Sequence, residues 1–316
     1  MLSHAVCRHH MCSVHVMCVG ADSDLIIDQV KQVPALQNFP PGIVPLMASY
    51  LGPDSIVVCG GIGGKMTRHG LIQREWKKSH AKASVDCYSL TTQTWRTGPR
   101  MPRMLTRREG AASVVIGNRL LVFGGRGADN RDLVTCEAFD PVHNRWSAIA
   151  PMLAVRRNVS AVEWQGRAFL FGRAPDTHLF SGECYDPKEG AWTAIAAPTA
   201  TVAFPVLKTV AVPGRGIFIM QSRGGCNPLH IYHPDSNAWT TSTWTMPAAM
   251  RVGLEPITTC SLHCLGSQLF CILHGSPMVG SILTFVLDFD DEFHTWSSVS
   301  SVPSPFSVTG IVSVVA

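Results

Sequence analysis

The feature that most constrains how this chain can fold is a pair of aromatic residues that recurs at one offset. An aromatic stands seven positions before a tryptophan at Tyr88 and Trp95, Phe139 and Trp146, Tyr185 and Trp192, Tyr232 and Trp239, and Phe289 and Trp296. The five tryptophans lie 51, 46, 47 and 57 residues apart, so the chain reads as an array of units about fifty residues long. An array takes precedence over the two ordinary domains that 316 residues alone would suggest.

Each unit has the punctuation of short strands and hairpins. The most regular reads Ala111 to Ile116, a turn at Gly117-Asn118, Leu120 to Phe123 ending at Gly124-Gly125, Val134 to Phe139, an Asp140-Pro141 turn, and Trp146. The next repeats this through Val159 to Trp164, Ala168 to Phe171, Tyr185, Asp186-Pro187 and Trp192. A unit before them starts near Pro41 and carries a long insertion, Ile62 to Ser84; two more follow, ending at Trp239 and Trp296. The ends complement each other, because the first forty residues offer strands resembling the later part of a unit and Phe306 to Val315 a lone first strand. Combining them closes a ring of six units and hides sheet edges that an open array would expose.

The Leu-Leu-Val-Phe-Gly-Gly run ending at Gly125, the aromatic-Asp-Pro segments at Phe139 and Tyr185, and the spaced tryptophans together resemble the kelch repeat family. The resemblance implies an all-β fold: a six-bladed β-propeller of four-stranded antiparallel blades, the ring closed by N- and C-terminal strands. The whole chain is then one domain, with residues 1–40 and 306–316 as the composite blade and 41–101, 102–151, 152–198, 199–247 and 248–305 as the others. On this reading the repeated aromatics, tryptophans and Asp-Pro turns set blade geometry and carry no ligand.

No window approaches the run of apolar residues that a membrane helix needs, and Met1 to Gly20 lacks the pattern of a secretory signal, so a cytoplasmic or nuclear location is expected. The eleven cysteines are then reduced thiols, and strand-placed ones such as Cys87, Cys184 and Cys271 are small core residues. Two clusters rich in ligand types, Cys7 to Cys18 and Cys260 to Cys264, lack paired Cys-x-x-Cys spacing, and neither metal nor cofactor is expected. No HExxH, GxSxG or P-loop pattern occurs, so the chain is expected not to be an enzyme. The alternative is a propeller enzyme or sugar-binding protein, mutarotase-like or oxidase-like, with its site at the channel mouth. No motif selects it.

Charge is more informative. In an antiparallel four-stranded unit, the loop between the second and third strands and the link to the next unit emerge at the same end. Loops and links assigned to that end hold 17 of the 26 lysines and arginines and 8 of the 22 acids, giving +9 there against −5 elsewhere. The candidate binding residues are Arg74, Trp76, Lys77 and Lys78 in the insertion and Arg107, Arg108, Arg156, Arg157 and Arg251 in the links. Arginines pair bidentately with carboxylates, and a tryptophan in a basic loop is a candidate anchor. The expected function is recognition of an acidic peptide or protein surface. The resemblance further implies a substrate-recognition role with ubiquitin ligase components, although the BTB or F-box part of such adaptors finds no room in the first forty residues. Nucleic acid and anionic lipid are disfavoured as partners, because no aromatic besides Trp76 interleaves with the basic residues.

Overall fold

A chain in which four consecutive strand residues are apolar must cover both faces of that strand. Leu120 to Phe123, Ala168 to Phe171 and Ile217 to Met220 are such runs, and every one of these residues is buried. The computed structural model describes side chains at residues 102–156, 159–175, 180–198, 208–220, 229–242, 262–264, 267–271, 285–290 and 296–297, and at Cys59, Ala81 and 83–85; elsewhere it describes the backbone of strands.

Five four-stranded sheets follow one another along the chain, each an antiparallel meander. Sheet 1 is Met47–Tyr50, Ser55–Cys59, Val85–Ser89 and Thr94–Arg96. Sheet 2 is Ala112–Ile116, Arg119–Phe123, Cys136–Asp140 and Arg145–Ile149. Sheet 3 is Arg157–Trp164, Arg167–Arg173, Phe180–Asp186 and Ala191–Ala194. Sheet 4 is Leu207–Val212, Gly216–Gln221, His230–His233 and Ala238–Thr241. Sheet 5 is Thr259–Leu265, Gln268–His274, Ser281–Asp288 and Trp296–Pro303. The insertion in sheet 1 contains a small antiparallel pair, Lys65–Met66 with Ile72–Gln73.

Another sheet joins the two ends in the order Val308–Val315, Ser13–Val19, Leu2–Val6, Val30–Gln32. It departs from the expected antiparallel blade: Val308–Val315 runs parallel to Ser13–Val19, and Val30–Gln32 parallel to Leu2–Val6. No tight hairpin joins these partners, so nothing local imposes antiparallel pairing. Among the strands that the first forty residues offer, the short apolar run Leu25 to Asp28 lies outside the described residues.

The core is a series of layers between sheets. Successive strand residues point to opposite faces, and the second strands divide accordingly. Leu120 and Val122 pack with Cys59 and Val85 of sheet 1, whereas Leu121 and Phe123 pack with Ala168, Leu170 and Tyr185 of sheet 3. Phe169 and Phe171 pack in turn with Ile217 and Ile219, and Phe218 and Met220 with Leu269 and Cys271. First strands of consecutive sheets are neighbours too, Ala112–Ile116 lying beside both Met47–Tyr50 and Arg157–Trp164.

The repeated aromatic and tryptophan are direct cross-strand partners in sheets 1 to 4, as Tyr88 and Trp95, Phe139 and Trp146, Tyr185 and Trp192, and Tyr232 and Trp239. In the last three their rings lie 5.3, 5.0 and 5.1 Å apart. The tryptophan also reaches the preceding unit. Trp192 meets Phe123 edge-on at 5.5 Å and Trp239 meets Phe171 at 5.8 Å. The indole N–H of Trp146 donates to the Pro102 carbonyl at 3.0 Å, that of Trp192 to Ala150 at 2.8 Å and that of Trp239 to Ala196 at 2.7 Å. Sheet 5 breaks the pattern, with Leu287 rather than Phe289 opposite Trp296. In sheets 2 and 3 the turn is closed by an aspartate that accepts backbone N–H groups, Asp140 from Val142 at 3.0 Å and Asp186 from Lys188 at 2.8 Å. The sheet 5 connection has no Asp-Pro and runs longer, so the offset of seven no longer sets the register.

Cys59, Cys136 and Cys184 are free thiols, and burial pushes the first two up to about 12 and Cys184 to about 11. Such thiols stay protonated and unreactive. Burial, helped by nearby Lys208, lowers His263 from 6.5 to about 4, and burial lowers His230 as well. The folded histidines therefore take up protons later than the unfolded ones. Stability is expected to fall as pH drops from about 6.5 to about 4, by on the order of 3 kcal/mol for His263. Urea melts across that range check it, and H263Q should flatten this part of the profile.

Candidate functional site

The links and the loops between second and third strands meet at one end of the sheets. Glu109 in the link exchanges both backbone hydrogen bonds with Arg126 in the loop, at 2.9 and 2.8 Å, and Met152 N–H reaches Val134 O at 2.9 Å. Two successive units build the junction in the same way, around an arginine and a glutamate that both leave water. Arg108 is 0% exposed and Glu137 1%; Arg156 is 6% exposed and Glu183 0%.

Arg108 donates through Nε and Nη2 to Glu137 Oε1 at 3.0 and 2.6 Å, and through Nη1 to the carbonyls of Gly124 at 2.6 Å and Thr135 at 3.0 Å. The glutamate's remaining capacity goes to the link: Leu105 N–H donates to Oε2 at 2.6 Å and Thr106 N–H to Oε1 at 3.3 Å. In the next unit Arg156 pairs with Glu183, Nε of Arg156 reaches Ser181 Oγ at 3.2 Å, and Leu153 N–H donates to Glu183 Oε2 at 2.7 Å. Burial pushes the Glu183 carboxyl up from its ordinary range and the Arg156 guanidinium down, against the pull of their mutual attraction. Desolvation outweighs the attraction in both shifts, as expected of an ion pair moved out of water. The double glycine makes room for the first of these joints. Gly124 and Gly125 have φ of 59° and 87°, and a Cβ on Gly125 would stand 2.7 Å from Glu109 O.

This corrects the expectation for Arg108 and Arg156. They face inward and are consumed by acids of the same unit, so the +9 assigned to this end becomes +7 once Glu137 and Glu183 neutralise them. Arg107 is exposed, as is Arg103, and neither has an acidic partner among the described residues. Arg126 and Arg131 are partly matched by Asp132 and Asp129, at 3.6 and 3.8 Å. Arg157 begins the first strand of sheet 3, in register with Arg173, and its side chain lies outside the described residues. Arg74, Trp76, Lys77, Lys78 and Arg251 also lie outside them, as do the side chains of the Cys7 to Cys18 cluster. Among the described residues no group of three His, Cys, Asp or Glu converges as metal ligands, and no helix is long and apolar enough to cross a membrane.

The residues missed from sequence are Glu137 and Glu183, which hold the links, and Leu105 and Leu153, which the links display at 61% and 58% exposure. A signal was present. Met-Leu-x-x-Arg occurs at Met104 and again at Met152, and each arginine is followed by an acid two residues before the repeated aromatic.

Among known families, the Kelch motif matches residues 107–153, the unit built on sheet 2. Kelch-like protein 25 of Xenopus tropicalis is 26% identical over 263 residues, covering 79% of this chain and 40% of that protein. Kelch-like protein 21 of Rattus norvegicus is 23% identical over 272 residues, covering 73% of this chain and 43% of that protein. An F-box/kelch-repeat protein of Arabidopsis thaliana is 24% identical over 237 residues, covering 69% of this chain and 57% of that protein. The chain thus spans 40% and 43% of the length of these two kelch-like relatives.

Truncating one member of a buried pair strands the other without a counter-charge. R108M and E137L are each expected to cost about 3–5 kcal/mol, and the double variant clearly less than their sum. Urea denaturation of the three variants measures this.

Proposed function

We propose that this kelch-repeat chain is a non-catalytic interaction module whose link face recognises an acidic peptide or protein surface. The observation that carries the reading is the excess of arginine at that face, with Arg103 and Arg107 exposed and lacking acidic partners among the described residues. The likeness to Kelch-like and F-box/kelch-repeat proteins supports a protein partner. Within this reading the chain supplies the substrate-recognition part of a ubiquitin ligase adaptor, working in the cytoplasm or nucleus. The insertion residues Arg74, Trp76, Lys77 and Lys78, with Arg157 and Arg251, extend the binding surface, whereas Arg108 and Arg156 hold it in shape. Rim charges act mainly on association rate and salt sensitivity. Binding of a pool of Asp/Glu-rich peptides is expected to weaken with added salt and to fall about tenfold in R103E/R107E. Equal binding by that variant in a fluorescence titration rejects the acidic-partner reading.

The same reading takes the chain as a single domain, a closed propeller of six blades with the boundaries given above. Two neighbour relations support it. Val308–Val315 shares a sheet with Ser13–Val19, and it lies beside the first strands of both sheet 5 and sheet 1. A closed ring leaves no sheet face to water. Deleting Phe306 to Ala316 is therefore expected to lower Tm by more than about 10 °C, measured by thermal melting followed by circular dichroism. An unchanged Tm contradicts closure.

A further inference from the structure

We propose that Leu105 and Leu153 form an apolar ledge on the link face that seats two apolar side chains of an acidic peptide, which deepens the reading above and rests on it. The two leucines hold corresponding positions: each follows a buried methionine and precedes by three residues the arginine of a buried ion pair. They are two of the three large apolar side chains exposed among the described residues. The third, Val142, sits in the hairpin turn after Cys136–Asp140, at the opposite end of sheet 2.

Packing within the chain does not account for these leucines. Met104 and Met152, each 4% exposed, already fill the inward position of the link. Loose backbone does not account for them either. The N–H of Leu105 is held at 2.6 Å by Glu137 and that of Leu153 at 2.7 Å by Glu183, both carboxylates being buried and paired with arginine. An apolar side chain fixed in water by a buried network is pre-organised, and little freedom remains to be lost when a ligand covers it.

Charge selects the occupant. Exposed Arg103 and Arg107 flank Leu105 in sequence, and no acid enters that link before Glu109. A wholly apolar segment would desolvate these arginines without pairing them, and a wholly acidic one would leave the leucines uncovered. A second copy of this chain would bring the same basic face against itself, which like charge opposes. A peptide that carries both chemistries meets both demands. Facing sheets stack roughly 10 Å apart, so the two apolar side chains of the ligand stand about that far from each other, with carboxylates beside the first.

The test is selection of a phage-displayed random peptide library on the full chain, followed by fluorescence titration of the selected peptides. Both leucines are exposed, so L105S/L153S should melt as the parent does, which verifies folding before binding is read. Selected peptides are expected to combine acids with two apolar residues, and to bind about tenfold more weakly both to L105S/L153S and to R103E/R107E. Acidic peptides that bind L105S/L153S undiminished overturn the ledge and leave the acidic-partner reading standing. Leucine-dependent peptides indifferent to R103E/R107E and to salt overturn that reading, and with it the ligand chemistry proposed here. The ledge is also overturned if selection yields no leucine-dependent binder, or if sedimentation shows a dimer that L105S/L153S abolishes.

Discussion

The stacked arrangement depends on one constraint: sheets 2, 3 and 4 are each apolar on both faces, and each face is covered by a neighbouring sheet. A strand whose residues alternate between core and solvent needs one neighbour. Leu120 to Phe123 needs two, because Leu120 and Val122 face one layer while Leu121 and Phe123 face another. Sheets 3 and 4 carry the same demand along the chain. The tryptophan makes the stacking directional. Its ring rests on the aromatic of its own sheet, and its N–H is held by the link leading in from the preceding unit. A buried indole N–H left unpaired costs about 1–3 kcal/mol, so this bond helps to set how neighbouring units sit against each other.

The buried ion pairs join this frame to the face it displays. An Arg–Glu pair out of water adds little net stability over apolar residues of the same volume. Here it satisfies link N–H groups that a curved, irregular segment would otherwise bury unpaired. In sheet 4 the position in register with Glu137 and Glu183 is taken by His230.

Most of the architecture was legible because it rests on local chemistry. Short apolar runs, Gly-Asn and Asp-Pro turns and an aromatic seven residues before a tryptophan define hairpins whose partners lie within a few residues. Where the signal was only a count, it failed. Phe289 and Trp296 keep the offset of seven, but their connection lacks the Asp-Pro turn, and Leu287 takes the place opposite Trp296. The parallel pairing at the chain ends was likewise hidden, since strands drawn from opposite termini carry no turn that announces their direction.

By itself, then, the sequence determined the repeat, the strands and the turns that close them, because each follows from residues close together in the chain. Which arginines face a partner was decided only by tertiary structure. Arg107 and Arg108 are adjacent and chemically identical, yet the first is exposed and the second is 0% exposed. The difference is Glu137, carried by sheet register to within 2.6 Å of Arg108. The same carboxylate fixes the backbone of Leu105 and turns its side chain outward. A charge 29 residues away has no local signature, and only the folded sheet makes it a neighbour.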